Sequence, residues 1–176
     1  MRSALRGWIV IALIWIGTCT GVAAYATRFY WSDTALELDF WVHRADFVRL
    51  VAMAREDLHM TRIAPDFTWL DDDASWPRQN VGIPEERWDE YRRLFRRVNA
   101  SEGIMEHPEL SAVYFPIASV GLVPAGWTKG IVYTSIALSP TVESLHGRIA
   151  QNLYQGSHVV VYHRIEDHWY IYYEEW

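Results

Sequence analysis

The hydrophobic pattern divides the chain into an apolar leader and a mixed remainder. From Trp8 to Ala26 the run WIVIALIWIGTCTGVAAYA carries no charge; Arg2 and Arg6 precede it, and Arg28, Asp33, Glu37 and Asp39 follow. As a helix these nineteen residues would reach about 28 Å, close to the roughly 30 Å hydrocarbon core of a bilayer. The positive-inside rule keeps the short basic start in the cytoplasm and places everything after Arg28 outside. A cleaved signal peptide is the competing reading, since Trp8 to Ile16 makes a short apolar core and Ala24-Tyr25-Ala26 has the small-x-small form of a cleavage site. The anchor is preferred because apolar character persists through Val22 to Tyr25, with Trp8 and Tyr25 where interfacial aromatics belong. Lipidation of Cys19 is disfavoured by Thr18, where a small residue should stand. Residues 1–29 are therefore expected to be a signal anchor, single-pass in the cell membrane. Residues 30–176 are expected to be one extracytoplasmic domain, secreted or periplasmic if cleavage occurs.

Periodicity then changes along the domain. Ser32 to Val42 reads both ways: Leu36, Leu38 and Phe40 alternate like a strand, while Thr34 and Glu37 resemble a capping box, and helix is preferred. His43 to Leu58 carries a broad apolar stripe at helical spacing and predicts a core-packed helix. One short strand is expected within Thr61 to Leu70, and a long surface loop over Ser75 to Pro84, which contains Pro77, Asn80 and Gly82. Pro84 at a first helical position opens a second helix, Glu85 to Asn99. Its acids lie at the front and its arginines at the back, and Trp88, Tyr91, Leu94, Phe95 and Val98 form one docking face. Four strands follow at Ala112 to Val120, Gly130 to Ile136, Val159 to Ile165 and Trp169 to Glu174; Glu166-Asp167 joins the last two as a hairpin. A short helix or ordered loop fits Ser139 to Gly156. The order predicts an α+β fold, with helices packed on one face of a mainly antiparallel sheet ending in a β-hairpin.

Composition narrows the function classes. At 51% hydrophobic and 15% aromatic the chain has too much to bury for disorder. A net charge of −6 lacks the clustered positive surface that nucleic acid requires. Lys129 is the only lysine, which reads as a composition bias. His43-Arg44 at a helix opening, the stretch Gly130 to Ser135 and the closing His168-Trp169-Tyr170 resemble small exported or membrane-anchored bacterial proteins without assigned activity, and that resemblance implies no site.

Candidate chemistry is sparse. Asp71, Asp73 and Ser75 alternate like calcium-loop ligands, but Trp76 stands where the loop needs Gly and Gly82 where it needs Glu, so a solvated acidic loop is the better account. His158, His163 and His168 lie near the last hairpin, but strand parity sets His158 and His163 on opposite faces and no second cysteine is available, so no metal and no cofactor are expected. No Gly-x-Ser-x-Gly and no Gly-rich phosphate loop is present. Asp66, Glu106 and Glu109 are carboxylates whose convergence in space would permit glycoside chemistry. Arg92, Arg93, Arg96 and Arg97 are read as a solvated, ion-paired face. Trp169, Ile171 and Tyr173 should share one strand face with Tyr170 and Tyr172 on the other. If both faces are covered the set is core; if one is open, Tyr170, Tyr172 and Trp176 form an aromatic platform for an envelope protein or glycan. The reading that results is a non-enzymatic binding or assembly module held to the bilayer through Trp8 to Ala26. The alternative is a small hydrolase of envelope polymers.

Overall fold

A computed structural model describes residues 32–57, 59–73, 78–122, 125–145 and 158–176. The proposed membrane run from Trp8 to Ala26, Cys19, the loop positions Ser75 and Trp76 and much of the Ser139 to Gly156 stretch lie outside them. Among the described residues no helix is long and apolar enough to cross a membrane.

Two helices and seven strands are formed among the described residues. Helix α1, Asp33–Glu56, merges the two stretches that the sequence separates. It starts at Ser32, whose hydroxyl accepts from the Ala35 amide at 3.2 Å, so the cap lies two residues before the expected Thr34. Non-helical angles at His43 (φ −112°, ψ 18°) bend it where the two sequence patterns meet. Helix α2, Glu85–Arg97, begins after Pro84. It stops two residues short of expectation because Asn99 turns left-handed (φ 55°), letting the Ala100 amide donate back to the Phe95 carbonyl at 3.0 Å.

The strands are β1 (Met60–Ile63), β2 (Thr68–Leu70), β3 (Ile104–His107), β4 (Ala112–Leu122), β5 (Ala125–Thr134), β6 (Val159–Glu166) and β7 (Trp169–Glu175), and a 3-10 turn, Pro108–Leu110, precedes β4. They form one antiparallel sheet in the order β2-β1-β3-β4-β5-β7-β6. This mixed helix-and-sheet architecture is compatible with the α+β class. The expected single strand at Thr61 to Leu70 is instead a hairpin: Pro65 lacks an amide, Asp66 suits a turn, and the Ala64 amide donates to the Phe67 carbonyl at 2.9 Å. Strand β3, at four residues between Gly103 and Pro108, is too short to leave a period in the sequence. Gly103 is required there: at φ 77° a Cβ would stand 2.0 Å from the Ile63 carbonyl oxygen.

Alternation along β7 sorts the core into two layers. Trp169 lies 5.0 Å from Phe40 and 6.0 Å from Phe47, ring centre to ring centre, so α1 covers the Trp169 face as its periodicity predicts. Phe115 completes that layer, 5.1 Å from Phe47 and edge-on. On the opposite face Ala112, Tyr114, Val132, Leu138, Tyr162, Tyr170 and Tyr172 make a second buried cluster. Lys129 finds a structural place: its ammonium sits 2.6 Å from the Asp33 carboxylate, with both residues buried. The other Asp33 oxygen accepts from the Ser144 hydroxyl (2.8 Å) and the Leu145 amide (2.7 Å), tying the start of α1 to β5 and to the segment after it. Burial pushes the Asp33 carboxyl up, but the Lys129 contact and these two hydrogen bonds outweigh it and hold it below its ordinary value.

Candidate functional site

The most perturbed carboxyl lies where α1 ends, α2 passes and β3 begins to pair with β4. Glu106 shares a β3 face with the fully buried Ile104 and pairs in register with Val113, which turns it toward the helix side of the sheet. Its Oε1 is buried without a hydrogen-bond partner. Burial first, and then the Asp57 carboxylate, push its carboxyl up to about 7, with Arg55 pulling only partly the other way. Arg55 is placed by stacking on Tyr133, 4.8 Å from the ring centre.

Asp57, the residue that ends α1, is held differently. Its Oδ2 accepts from the Tyr91 hydroxyl at 2.7 Å and from Arg87 Nε at 2.9 Å. Arg87 also reaches the Met53 carbonyl (3.1 Å) and Glu56 (2.9 Å), so a single guanidinium closes the last turn of α1. Burial and the Asp57 contact drive the Tyr91 phenol well above its usual range, leaving it a fixed donor. The corner thus presents one carboxyl raised to near neutrality beside another held by a guanidinium and a phenol, a division of roles suited to proton transfer. Sequence spacing alone misses this pair, because Glu106 stands on the strand too short to read. Had β3 been recognised, a Glu two residues after a core Ile would have marked it.

The aromatic candidates separate. Tyr170 and Tyr172 are buried, because the second cluster covers their face of β7, whereas Trp176 at the strand end is half-exposed. Both faces of the strand are therefore covered, the condition under which the set is core. Trp176 packs across Gly126, with backbone hydrogen bonds of 3.0 Å in both directions. The Tyr172 ring meets Tyr114 edge-on at 4.9 Å, and its hydroxyl has no partner. Burial drives that phenol far above its ordinary range. The Nε of Arg62 is likewise buried without a partner, and burial lowers the pKa of that guanidinium, whose charge acts on Tyr172.

The remaining candidates are dispersed. Asp66 is exposed and pairs loosely with Arg78 at 3.6 Å; Glu109 is exposed in the 3-10 turn beside His107, and neither meets Glu106. Asp71 and Asp73 are exposed, with Asp71 hydrogen-bonded to His59 at 3.0 Å. His158 contacts Glu174 (2.7 Å), His163 contacts Glu37 (2.8 Å) and the Val142 carbonyl (3.2 Å), and His168 contacts the Thr134 carbonyl (3.0 Å). Among the described residues no three His, Cys, Asp or Glu side chains gather as metal ligands would. On α2, Arg93 and Arg97 are exposed while Trp88 and Phe95 are buried, as the helical face predicts. Arg92 stacks 3.5 Å over Trp88 and bridges to Glu85 (2.8 Å) and Asp89 (3.0 Å). Comparison of the chain with protein-family models, with curated proteins and with solved structures returns no match.

Proposed function

We propose that this chain is a membrane-anchored module that works outside the cytoplasm by binding, or helping to assemble, an envelope protein or glycan. The observation that supports it most is the uncharged run from Trp8 to Ala26, bracketed by arginines and joined within a few residues to a domain capped at Ser32. A run of that length and composition needs a bilayer or an export machinery to account for it. Trp176 is the aromatic candidate left open to a partner, whereas Tyr170 and Tyr172 are buried in the second cluster. Flotation of the full chain with phospholipid vesicles, together with a reporter active only outside the cytoplasm and fused after Trp176, tests the reading. Floating protein and an active reporter are expected. A chain left at the bottom of the gradient, or a reporter active only in the cytoplasm, refutes it.

The hydrolase reading keeps one specific support, the raised Glu106 carboxyl beside Asp57. In that case the full chain should release new reducing ends from purified envelope glycan, and Glu106→Gln should abolish the release. Intact glycan after prolonged incubation with the unaltered chain retires it.

A further inference from the structure

Helix α1 bends at His43, and the bend carries an unbalanced set of charges. Both ring nitrogens of His43 face carboxylates of its own helix. Nε2 lies 3.9 Å from Asp39 Oδ1, one turn before, and Nδ1 lies 3.7 Å from Asp46 Oδ2, one turn after. His43 itself holds the non-helical angles of the bend. The end of α2 closes over the same two acids: Arg97 is ion-paired to Asp46 Oδ2 at 3.0 Å, and the Asn99 side-chain amide donates to Asp39 Oδ1 at 2.9 Å. Asn99 is neutral, so two carboxylates meet one guanidinium and the group is one cation short. Asp39 bears the shortfall, since its Oδ2 is buried and has no hydrogen-bond partner. Burial pushes the Asp39 carboxyl up, against the pull of Asn99 and His43.

A neutral imidazole cannot satisfy this arrangement. It has one N–H and one bare nitrogen, so in either tautomer one carboxylate faces a lone pair. Protonation turns both nitrogens into donors and supplies the missing charge. We propose that His43 is a proton-operated clamp, which on taking up a proton bonds Asp39 and Asp46 together across the bend and fastens both halves of α1 to the end of α2. In the neutral form the two contacts stay at 3.9 and 3.7 Å, beyond hydrogen-bond reach. In the protonated form they shorten to charge-assisted bonds of about 2.7 to 2.9 Å. The charged groups that face the ring are Asp39 and Asp46 on α1, with Arg97 of α2 reaching it across Asp46. On the inner side, Phe40 and Phe47 pack on Trp169 from either side of the bend, so the core holds the hinge while the flank toward α2 loosens and tightens. The ring is 28% exposed, and protons reach it without unfolding.

Hydrogen exchange of the full chain in detergent micelles, read by mass spectrometry on peptides covering residues 37–47, tests the clamp. The parent is Glu106→Gln, so that the raised carboxyl at the other end of α1 adds no slope of its own. After correction for intrinsic exchange rates, protection in these peptides should be about fivefold higher at about pH 5.5 than at about pH 8, within the range that two partly exposed charge pairs supply. His43→Gln, which keeps one donor and one acceptor at every pH, should flatten that difference. Asp39→Asn, which removes the acid that lacks a cation, should reduce it to half or less. An equal pH difference in His43→Gln, or none in the parent, overturns the proposal. Should His43→Gln lose its near-ultraviolet dichroism, Asp39→Asn decides alone: a reduced difference supports the clamp and an unchanged one defeats it.

Discussion

Two side chains carry costs that substitution should reveal. Tyr172 buries a hydroxyl without a partner, and such a group forfeits its hydration, so Tyr172→Phe should raise stability by about 1 kcal/mol in urea unfolding. Tyr172→Ala should instead cost about 3 to 5 kcal/mol, as should Trp169→Ala, because both rings lie in covered layers. Glu106 is the second case. Its folded carboxyl is raised to about 7 from an ordinary 4.5, so the folded state holds a proton that the unfolded chain gives up across that interval. Stability contributed by this group is lost as pH rises between those values. Glu106→Gln should therefore stabilise the domain at pH 8, by on the order of 1 kcal/mol given its partial exposure, and change little at pH 4. Urea titrations at the two pH values check the sign. The two faces of β7 were legible in the sequence, since strand parity alone sets Trp169, Ile171 and Tyr173 on one side and Tyr170 and Tyr172 on the other. The partners of Glu106 were not, because Asp57, Tyr91 and Glu106 meet only through tertiary packing of three elements far apart in sequence.

Among the elements, α1 shows how local pattern and long-range contact divide the work. Its inner stripe was visible in the sequence, as was the docking face of α2; the ion pair that fixes its start was not, since Lys129 and Asp33 stand 96 positions apart. Removing one member leaves the other charge buried, so Lys129→Met should cost about 3 to 5 kcal/mol. Asp33 adds a pH dependence of opposite sign to that of Glu106. Its folded carboxyl lies below the unfolded value, so its contribution is present above pH 3.8 and fades as acid titrates it, which thermal melts of Asp33→Asn beside the unaltered chain would register as a flatter acid limb. Short elements escaped the sequence for a different reason. Four residues in β3 and three in β2 hold at most two full alternations, and only pairing with neighbours makes them strands.

Across the whole molecule the sheet grades from a long centre to short or strapped margins. Strands β4, β5 and β7 pair along most of their length, so amide exchange should be slowest at Ile131, Val132 and Ile171 and fastest in β2, measured on the native protein without denaturant. Each margin is strapped at one point by the chain's own backbone. On the β2 side the Thr68 amide donates to the Gln79 carbonyl at 3.0 Å, and the Thr68 hydroxyl accepts from the Val81 amide at 2.6 Å. On the β6 side the Tyr162 amide donates to the Pro140 carbonyl and the Val142 amide to the Tyr162 carbonyl, 3.0 and 2.8 Å. An open row of amides and carbonyls is a template on which another molecule's strand can grow. On each border the chain's own backbone occupies one position, at Thr68 and at Tyr162, and so interrupts that row. Each interruption shortens the run of open backbone on which a strand from a neighbouring molecule could add.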